Sequence, residues 1–155
     1  MNHLSVSIDS AAVAVRESIA SKKELFSFCG RLAADCYGLE KSSVIVGLDE
    51  REQLGSTGFG GAVAIPHAKI EGLDQCVGLF IRLTNPMAFD SHDDQPVDMI
   101  FGLLSPAKAG AEHLKALAEI SRFLRDENMV AKLRGAKGED ALFVLLTGQR
   151  EQQAA

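Results

Sequence analysis

No stretch of the 155-residue chain approaches the roughly 20 consecutive apolar residues that a membrane-spanning helix needs. The first ten residues, MNHLSVSIDS, also lack the basic region and long apolar run of a leader peptide. These two absences predict a cytoplasmic protein with no direct membrane insertion. Cysteine is sparse and odd in number, with Cys29, Cys36 and Cys76 at spacings that fit neither a disulfide framework nor a zinc knuckle. Free thiols in the core follow. A basic surface is missing as well: sixteen Lys and Arg against twenty-one Asp and Glu give a net charge of −5, which repels nucleic acid and offers no polybasic patch to lipid. A basic protein partner, by contrast, is steered toward an acidic chain. There is no HExxH, CxxC, Gly-Lys-Ser/Thr loop ending, GxGxxG or GxSxG, so zinc, nucleotide, dinucleotide and Ser56-His67 hydrolase chemistry all lose their usual carriers. The expectation is no metal and no cofactor.

What the chain has is a core-forming apolar fraction and an alternation of elements. It contains no tandem repeat, low-complexity run or linker, so residues 1–155 read as a single domain with loose termini at 1–11 and 149–155. The alternation at Ala12 to Val15 predicts a strand. Ser21 and Glu24 form a capping box opening a helix with Leu25, Phe28, Leu32, Cys36 and Leu39 on its buried face, ended by Gly38. A shorter helix fits Ser43 to Leu54, with Val44, Ile45 and Leu48 inward. Ala62 to Pro66 and Cys76 to Leu83 read as strands, Asn85-Pro86 as a turn, and Val97 to Leu104 as a buried strand. Helices follow at about Ala109 to Arg125, Met129 to Arg134 and Glu139 to Thr147, the last closed by Gly148. Interleaving of this kind is α/β, with a central sheet covered by helices on both sides.

The richest segment is Arg51 to Lys69, REQLGSTGFGGAVAIPHAK, which surrounds one histidine with glycines, two hydroxyls and an arginine. Pro66 lacks a backbone donor and is expected to end the preceding strand, leaving His67 at its edge. A neutral imidazole is a nucleophile near pH 7 without prior activation. Phosphoryl transfer needs little beyond alignment and a positive setting for the equatorial oxygens. Arg51 supplies charge, the glycines of Gly55-Ser56-Thr57-Gly58 let backbone amides approach an anion, and Thr57 or Ser56 can hydrogen-bond a phosphate oxygen or the imidazole. The alternative for the loop is a bare connection with no ligand. His113, near the start of the long helix on the face carrying Leu117 and Ile120, is either a packing histidine or a donor to a phosphate on His67. His92, in an acidic turn, and His3, near the terminus, stand outside the candidate site.

In several ordered blocks the chain resembles the enzyme IIA domain of the fructose and mannitol class of the phosphoenolpyruvate-dependent phosphotransferase system, in particular its nitrogen-regulatory branch. Leu48-Asp49-Glu50-Arg51-Glu52, Gly55-Ser56-Thr57-Gly58, Ala64-Ile65-Pro66-His67 and Lys69 are similar to that family's phosphorylation-site block. Met87-Ala88-Phe89-Asp90, Gln95-Pro96-Val97-Asp98 and His113-Leu114 are similar to further blocks, and the resemblance runs from about Val13 onward. It implies a mixed sheet with helices on both faces. It also implies a covalent phosphohistidine carrier rather than a conventional turnover enzyme: His67 is phosphorylated by a histidine-containing phosphocarrier protein, Arg51 and His113 flank the phosphate, and Thr57, Ser56 and Gly58 position it. Implied partners are that donor and soluble regulatory targets such as kinases or the cytoplasmic parts of transporters. Two other readings stay open at this point: a sugar-transport IIA component serving a separate permease subunit, and an unphosphorylated anion- or peptide-binding module. The family commonly has glycine directly after the active histidine, where this chain has Ala68, so an altered backbone or docking surface is expected there.

Overall fold

In a computed structural model, which describes residues 3–149, six strands form one mixed sheet and five helices cover its two faces. The chain runs β1 (Ser7–Arg16), α1 (Lys22–Tyr37), α2 (Lys41–Gln53), β2 (Gly58–Gly60), β3 (Val63–Ala64), β4 (His67–Ile70), β5 (Val77–Met87), β6 (Val97–Pro106), α3 (Ala111–Arg125), α4 (Glu127–Gly135) and α5 (Glu139–Thr147). The sheet order is β1-β5-β6-β3-β2, with β4 also on β6. β5 and β6 pair antiparallel, whereas β1 on β5 and both β3 and β4 on β6 are parallel.

Because β6 lies inside the sheet and is covered on both sides, its side chains feed two cores in turn. Val97, Ile100 and Leu104 join Phe26, Cys29, Val44 and Leu48 beneath α1 and α2. Met99, Phe101 and Leu103 join Ile120, Phe123, Leu133, Leu142 and Leu146 beneath α3, α4 and α5. A near-continuous apolar run is the pattern such a strand requires. Burying two side-chain layers is the main contribution to stability, at about 1.5–3 kcal/mol for each large apolar side chain fully removed from water.

The element boundaries depart from expectation where tertiary contacts override local signals. β1 begins at Ser7, so residues 7–11 are strand rather than loose terminus. Its extra residues bulge against β5 between Ile8 and Val13, with the Ala11 amide donating to the Asp9 carboxylate and the Asp9 amide to the Tyr37 hydroxyl. Of the expected loose tail 149–155, residues 150–155 lie outside the described residues. The Asn85-Pro86 turn does not form. β5 continues through both to Met87, with a register shift between Arg82 and Met87 and the Asn85 amide donating to the Glu17 carbonyl.

Ser21 caps α1 as expected, accepting from the Glu24 amide at 3.1 Å, while Glu24 reaches back to the Ala20 amide. The buried face of α1 is rotated, however. Leu25, Phe26, Cys29 and Ala33 are buried, whereas Phe28, Leu32 and Cys36 are half-buried. Arg16 and Arg31 stack their guanidinium groups on the Phe28 ring at 4.6 and 5.8 Å, which stabilises that ring near the surface. Of the thiols, only Cys29 is fully in the core, where burial pushes it up to about 12; Cys36 and Cys76 are half-buried, and all three are free.

Candidate functional site

β3 and β4 are one strand interrupted by its proline. Ala64 faces Ile100 and His67 faces Leu103, three residues on in each strand, so the register carries through unchanged. Pro66 offers no N–H, yet its carbonyl accepts from the Leu103 amide at 3.0 Å and the ladder resumes at once. β3 ends ahead of Pro66 as expected, but the proline is only a missing rung in the ladder, and His67 opens β4 with its pairing to β6 intact. Among the described residues β2 pairs only with β3, so from His67 onward this strand has β6 on one side and no strand on the other.

Two-residue alternation then decides where the imidazole goes. Ala68 and Ile70 enter the core beneath α1 and α2, which sends His67 and Lys69 to the opposite face. There α3 brings His113, with the two imidazole centroids 5.5 Å apart. Arg51, in the last turn of α2, donates from Nε to His67 Nε2 at 3.1 Å and from a terminal nitrogen to the Gly55 carbonyl at 3.0 Å. Arg51, His67 and His113 are thus brought together from three separate elements.

The hydrogen bonds assign the proton on His67. Its Nδ1 lies 2.8 Å from the Ile65 carbonyl, which only accepts, so Nδ1 carries the hydrogen and Nε2 presents its lone pair to Arg51. Burial, the largest influence, lowers the pKa of His67; the Ile65 carbonyl raises it, the neighbouring Arg51 charge lowers it and Glu52 raises it, with the net direction downward. The pKa of His113 is lowered too, by burial first and then by His67 and Lys69. Both rings are held neutral near pH 7. A half-buried neutral imidazole with its lone pair under a guanidinium fork is arranged to accept an electrophile that brings anionic oxygens with it.

The loop residues are placed differently from a direct phosphate cradle. The buried Thr57 hydroxyl donates to Glu52 at 2.5 Å, and its amide donates to both oxygens of the same carboxylate at 3.1 and 3.2 Å. Ser56 donates its hydroxyl to the Phe89 carbonyl and accepts from the Gly58 amide. Gly58 is glycine for packing: a Cβ there would stand 3.0 Å from the Phe89 ring and closer still to Ser91. No hydrogen bond joins Ser56, Thr57 or Gly58 to either imidazole among the described residues; their hydrogen bonds tie down the loop whose Gly55 carbonyl Arg51 grips. His92 lies in an exposed loop, its amide bonded to the Gly58 carbonyl.

Glu52 is the residue that sequence reasoning missed. Its nearly buried carboxylate accepts from Lys22 Nζ at 2.8 Å as well as from Thr57. The detectable signal was an acid directly after Arg51 with a hydroxyl five residues on, but helical position alone gives Glu52 no reason to be buried. Ser105 is the second: its hydroxyl lies 2.7 Å from His113 Nδ1. Ala68, for its part, keeps an ordinary strand backbone with negative φ, and its methyl group sits against Gly47 of α2, where a Cβ would approach it to 3.0 Å. Among the described residues no group of three or more His, Cys, Asp or Glu side chains is placed to hold a metal, and no helix is long and apolar enough to cross a membrane.

Residues 7–148 match the family described as the phosphoenolpyruvate-dependent sugar phosphotransferase system, EIIA 2. A nitrogen regulatory protein of Bradyrhizobium diazoefficiens is 44% identical over 128 residues, covering 83% of this chain and 84% of that protein. The crystal structure of nitrogen regulatory protein IIA-Ntr from Neisseria meningitidis superposes with a TM-score of 0.84 at 34% identity, covering 90% of this chain and 96% of that one. The mannitol enzyme IIA of Escherichia coli, solved in complex with phosphorylated mannitol enzyme IIB, shares the fold with a TM-score of 0.73 at 21% identity over 90% of this chain and 96% of that one.

Proposed function

The chain belongs to the EIIA 2 family of the phosphoenolpyruvate-dependent sugar phosphotransferase system, among its nitrogen regulatory proteins, and we propose that it carries a phosphoryl group on His67 Nε2 and signals through that phosphorylation state. The observation that carries this reading is the assigned tautomer: the hydrogen is on Nδ1, tied to the Ile65 carbonyl, and the nucleophilic lone pair is on Nε2, in contact with Arg51.

In the proposed step the Nε2 lone pair attacks the phosphorus held on a phosphohistidine of the donor. The new N–P bond forms as the donor's N–P bond breaks, and that bonding pair returns to the donor ring. The Nδ1 hydrogen stays where it is, and the positive charge that develops on the His67 ring is stabilised by the Ile65 carbonyl. The Arg51 Nε–H leaves the lone pair it occupied and moves to the incoming oxygens, while His113 donates to them from the other side. Nothing has to be protonated or deprotonated beforehand, because the environment already holds His67 neutral.

Docking of the donor, a histidine-containing phosphocarrier protein, has an apolar rim available. Leu54, three residues after Arg51, is 84% exposed, and Leu114, next to His113, is 67% exposed. Large side chains left in water on either side of a reactive group are what a transient protein partner covers. Downstream partners in this reading are cytoplasmic regulatory targets, such as kinases or the cytoplasmic parts of transporters, and no cofactor takes part.

Incubation with the general phosphotransferase proteins and labelled phosphoenolpyruvate tests the carrier role. Acid-labile, alkali-stable label on the wild type and none on His67→Ala is the expected result. An unlabelled wild type would leave a binding module on the same fold. Pull-downs with His67→Ala and the charge mimic His67→Asp are expected to recover different soluble partners, and recovery of a sugar permease subunit alone would overturn the regulatory role.

A further inference from the structure

We propose that Ser105, backed by Cys76, is a positioning residue that fixes the tautomer of His113 so that its Nε2–H, and not a lone pair, faces the phosphoryl group on His67. The proposal deepens the phosphohistidine reading of the site and rests on it. Ser105 is fully buried in β6, where it lies opposite Lys69 of β4, two residues past His67. Its hydroxyl has two recorded partners: Cys76 Sγ, donating at 3.4 Å, and His113 Nδ1 at 2.7 Å. The position of Cys76 follows from the antiparallel register, in which the next residue, Val77, faces Leu104.

A hydroxyl has one hydrogen and two lone pairs. Were Oγ to accept from both the thiol and an Nδ1–H, its own buried hydrogen would be left with only the weakly accepting sulfur, whereas donating it to Nδ1 satisfies all three groups, so Nδ1 accepts. A neutral imidazole that accepts at Nδ1 carries its hydrogen on Nε2. No water competes at a hydroxyl with 0% exposure. Burial keeps the His113 ring neutral, and a neutral ring is the case in which the tautomer matters, since a protonated one donates from both nitrogens. Among the described residues Nε2 has no hydrogen-bond partner, and the ring packs against His67. The opposite tautomer would set a lone pair against phosphate oxygens, repelling the group that the site must stabilise.

The test uses the full chain with 15N-labelled histidine. Long-range proton–nitrogen spectra of the unphosphorylated wild type should give His113 as the Nε2–H tautomer. Ser105→Ala should lose that preference and slow phosphoryl transfer to His67 about three- to ten-fold, the value of one neutral hydrogen bond. Cys76→Ser, which keeps a donor, should stay within about two-fold of the wild-type rate. Ser105→Ala combined with His113→Ala should be no slower than His113→Ala alone, since one acts through the other. A wild-type His113 protonated on Nδ1, a Ser105→Ala protein with the wild-type tautomer and rate, or additive losses in the double variant would each overturn the proposal. If Ser105→Ala fails to fold, Cys76→Ala leaves the buried hydroxyl in place and provides the same tautomer measurement. If the wild type takes no phosphate at all, the carrier reading fails by itself, and the His113 spectrum still decides this one.

Discussion

Replacing Glu52 by alanine should destabilise the protein and loosen its site together. The carboxylate, with 6% of its side chain exposed, takes the Thr57 hydroxyl, the Thr57 amide and the Lys22 ammonium. Without it, two buried donors of Thr57 lose their acceptor, at about 1–3 kcal/mol for each group left unsatisfied. Lys22 keeps the looser, 90%-exposed Asp90 at 3.4 Å and the Phe89 ring at 4.7 Å, and is itself 24% exposed, so its share of the loss is small. A total near 4 kcal/mol follows from the two Thr57 donors taken at mid-range. For a domain of this length that is a fall in Tm of about 8–16 °C. Glu52→Gln keeps one acceptor oxygen for the Thr57 hydroxyl and amide but loses the charge and the second oxygen that takes Lys22, so a smaller fall is expected. Thermal unfolding followed by circular dichroism measures both. Phosphoryl transfer should slow in Glu52→Ala at temperatures where the protein is folded, because Arg51 is anchored on the Gly55 carbonyl of the same loop. A Glu52→Ala protein within about 1 °C of wild type would show that the carboxylate is not the clamp.

Gly47→Ala should cost about 1 kcal/mol in spite of the helix-propensity gain, because two fixed methyl groups cannot share a 3.0 Å gap; adding Ala68→Gly should recover most of it in denaturant titrations, and simple additivity would contradict the contact. His113→Ala should lower the rate of phosphoryl transfer about ten- to a hundred-fold with the fold intact, the value of one charge-assisted hydrogen bond, and equal rates would remove His113 from the site. His67 has its pKa lowered, so phosphate acceptance should be lost only as pH falls below the ordinary histidine value of 6.5, and Arg51→Ala should move that limb upward by removing a nearby charge. The same shift has a consequence for stability. Between its folded pKa and 6.5 the unfolded state binds more protons, so His67 reduces stability as pH falls through that window, and a stability that rose on acidification there would contradict the direction.

Much of the candidate site was legible in the sequence because the three side chains that the fold brings together lie in short, ordered blocks: Arg51 in a helix's last turn, His67 beside a proline, His113 at a helix start. Apolar runs separated the strands from the helices for a similar reason, β6 being a strand buried on both faces. What escaped was decided by contacts between distant segments. Ser105 ends an apolar strand and gains meaning only when α3 folds back over it. Thr57 and Ser56 look like phosphate ligands in a glycine-rich loop, but Glu52 and the Phe89 carbonyl take their hydrogens. Pro66 signals a strand end, yet a parallel neighbour on β6 carries the pairing past one missing donor. Phe28 satisfies the helical period of α1, and two arginines stacked on it offset its partial exposure. Ala68 suggested a disturbed backbone, and the relief lies twenty-one positions earlier at Gly47, on another element.

The central claim is that His67 accepts a phosphoryl group on Nε2 because Nδ1 is committed to the Ile65 carbonyl. Nitrogen-15 and phosphorus-31 spectra of the protein phosphorylated from phosphoenolpyruvate measure it directly. Phosphorus coupled to Nε2 of His67, with Nδ1 still carrying its hydrogen, is the predicted result; phosphate on Nδ1, or on any residue other than His67, would contradict the account.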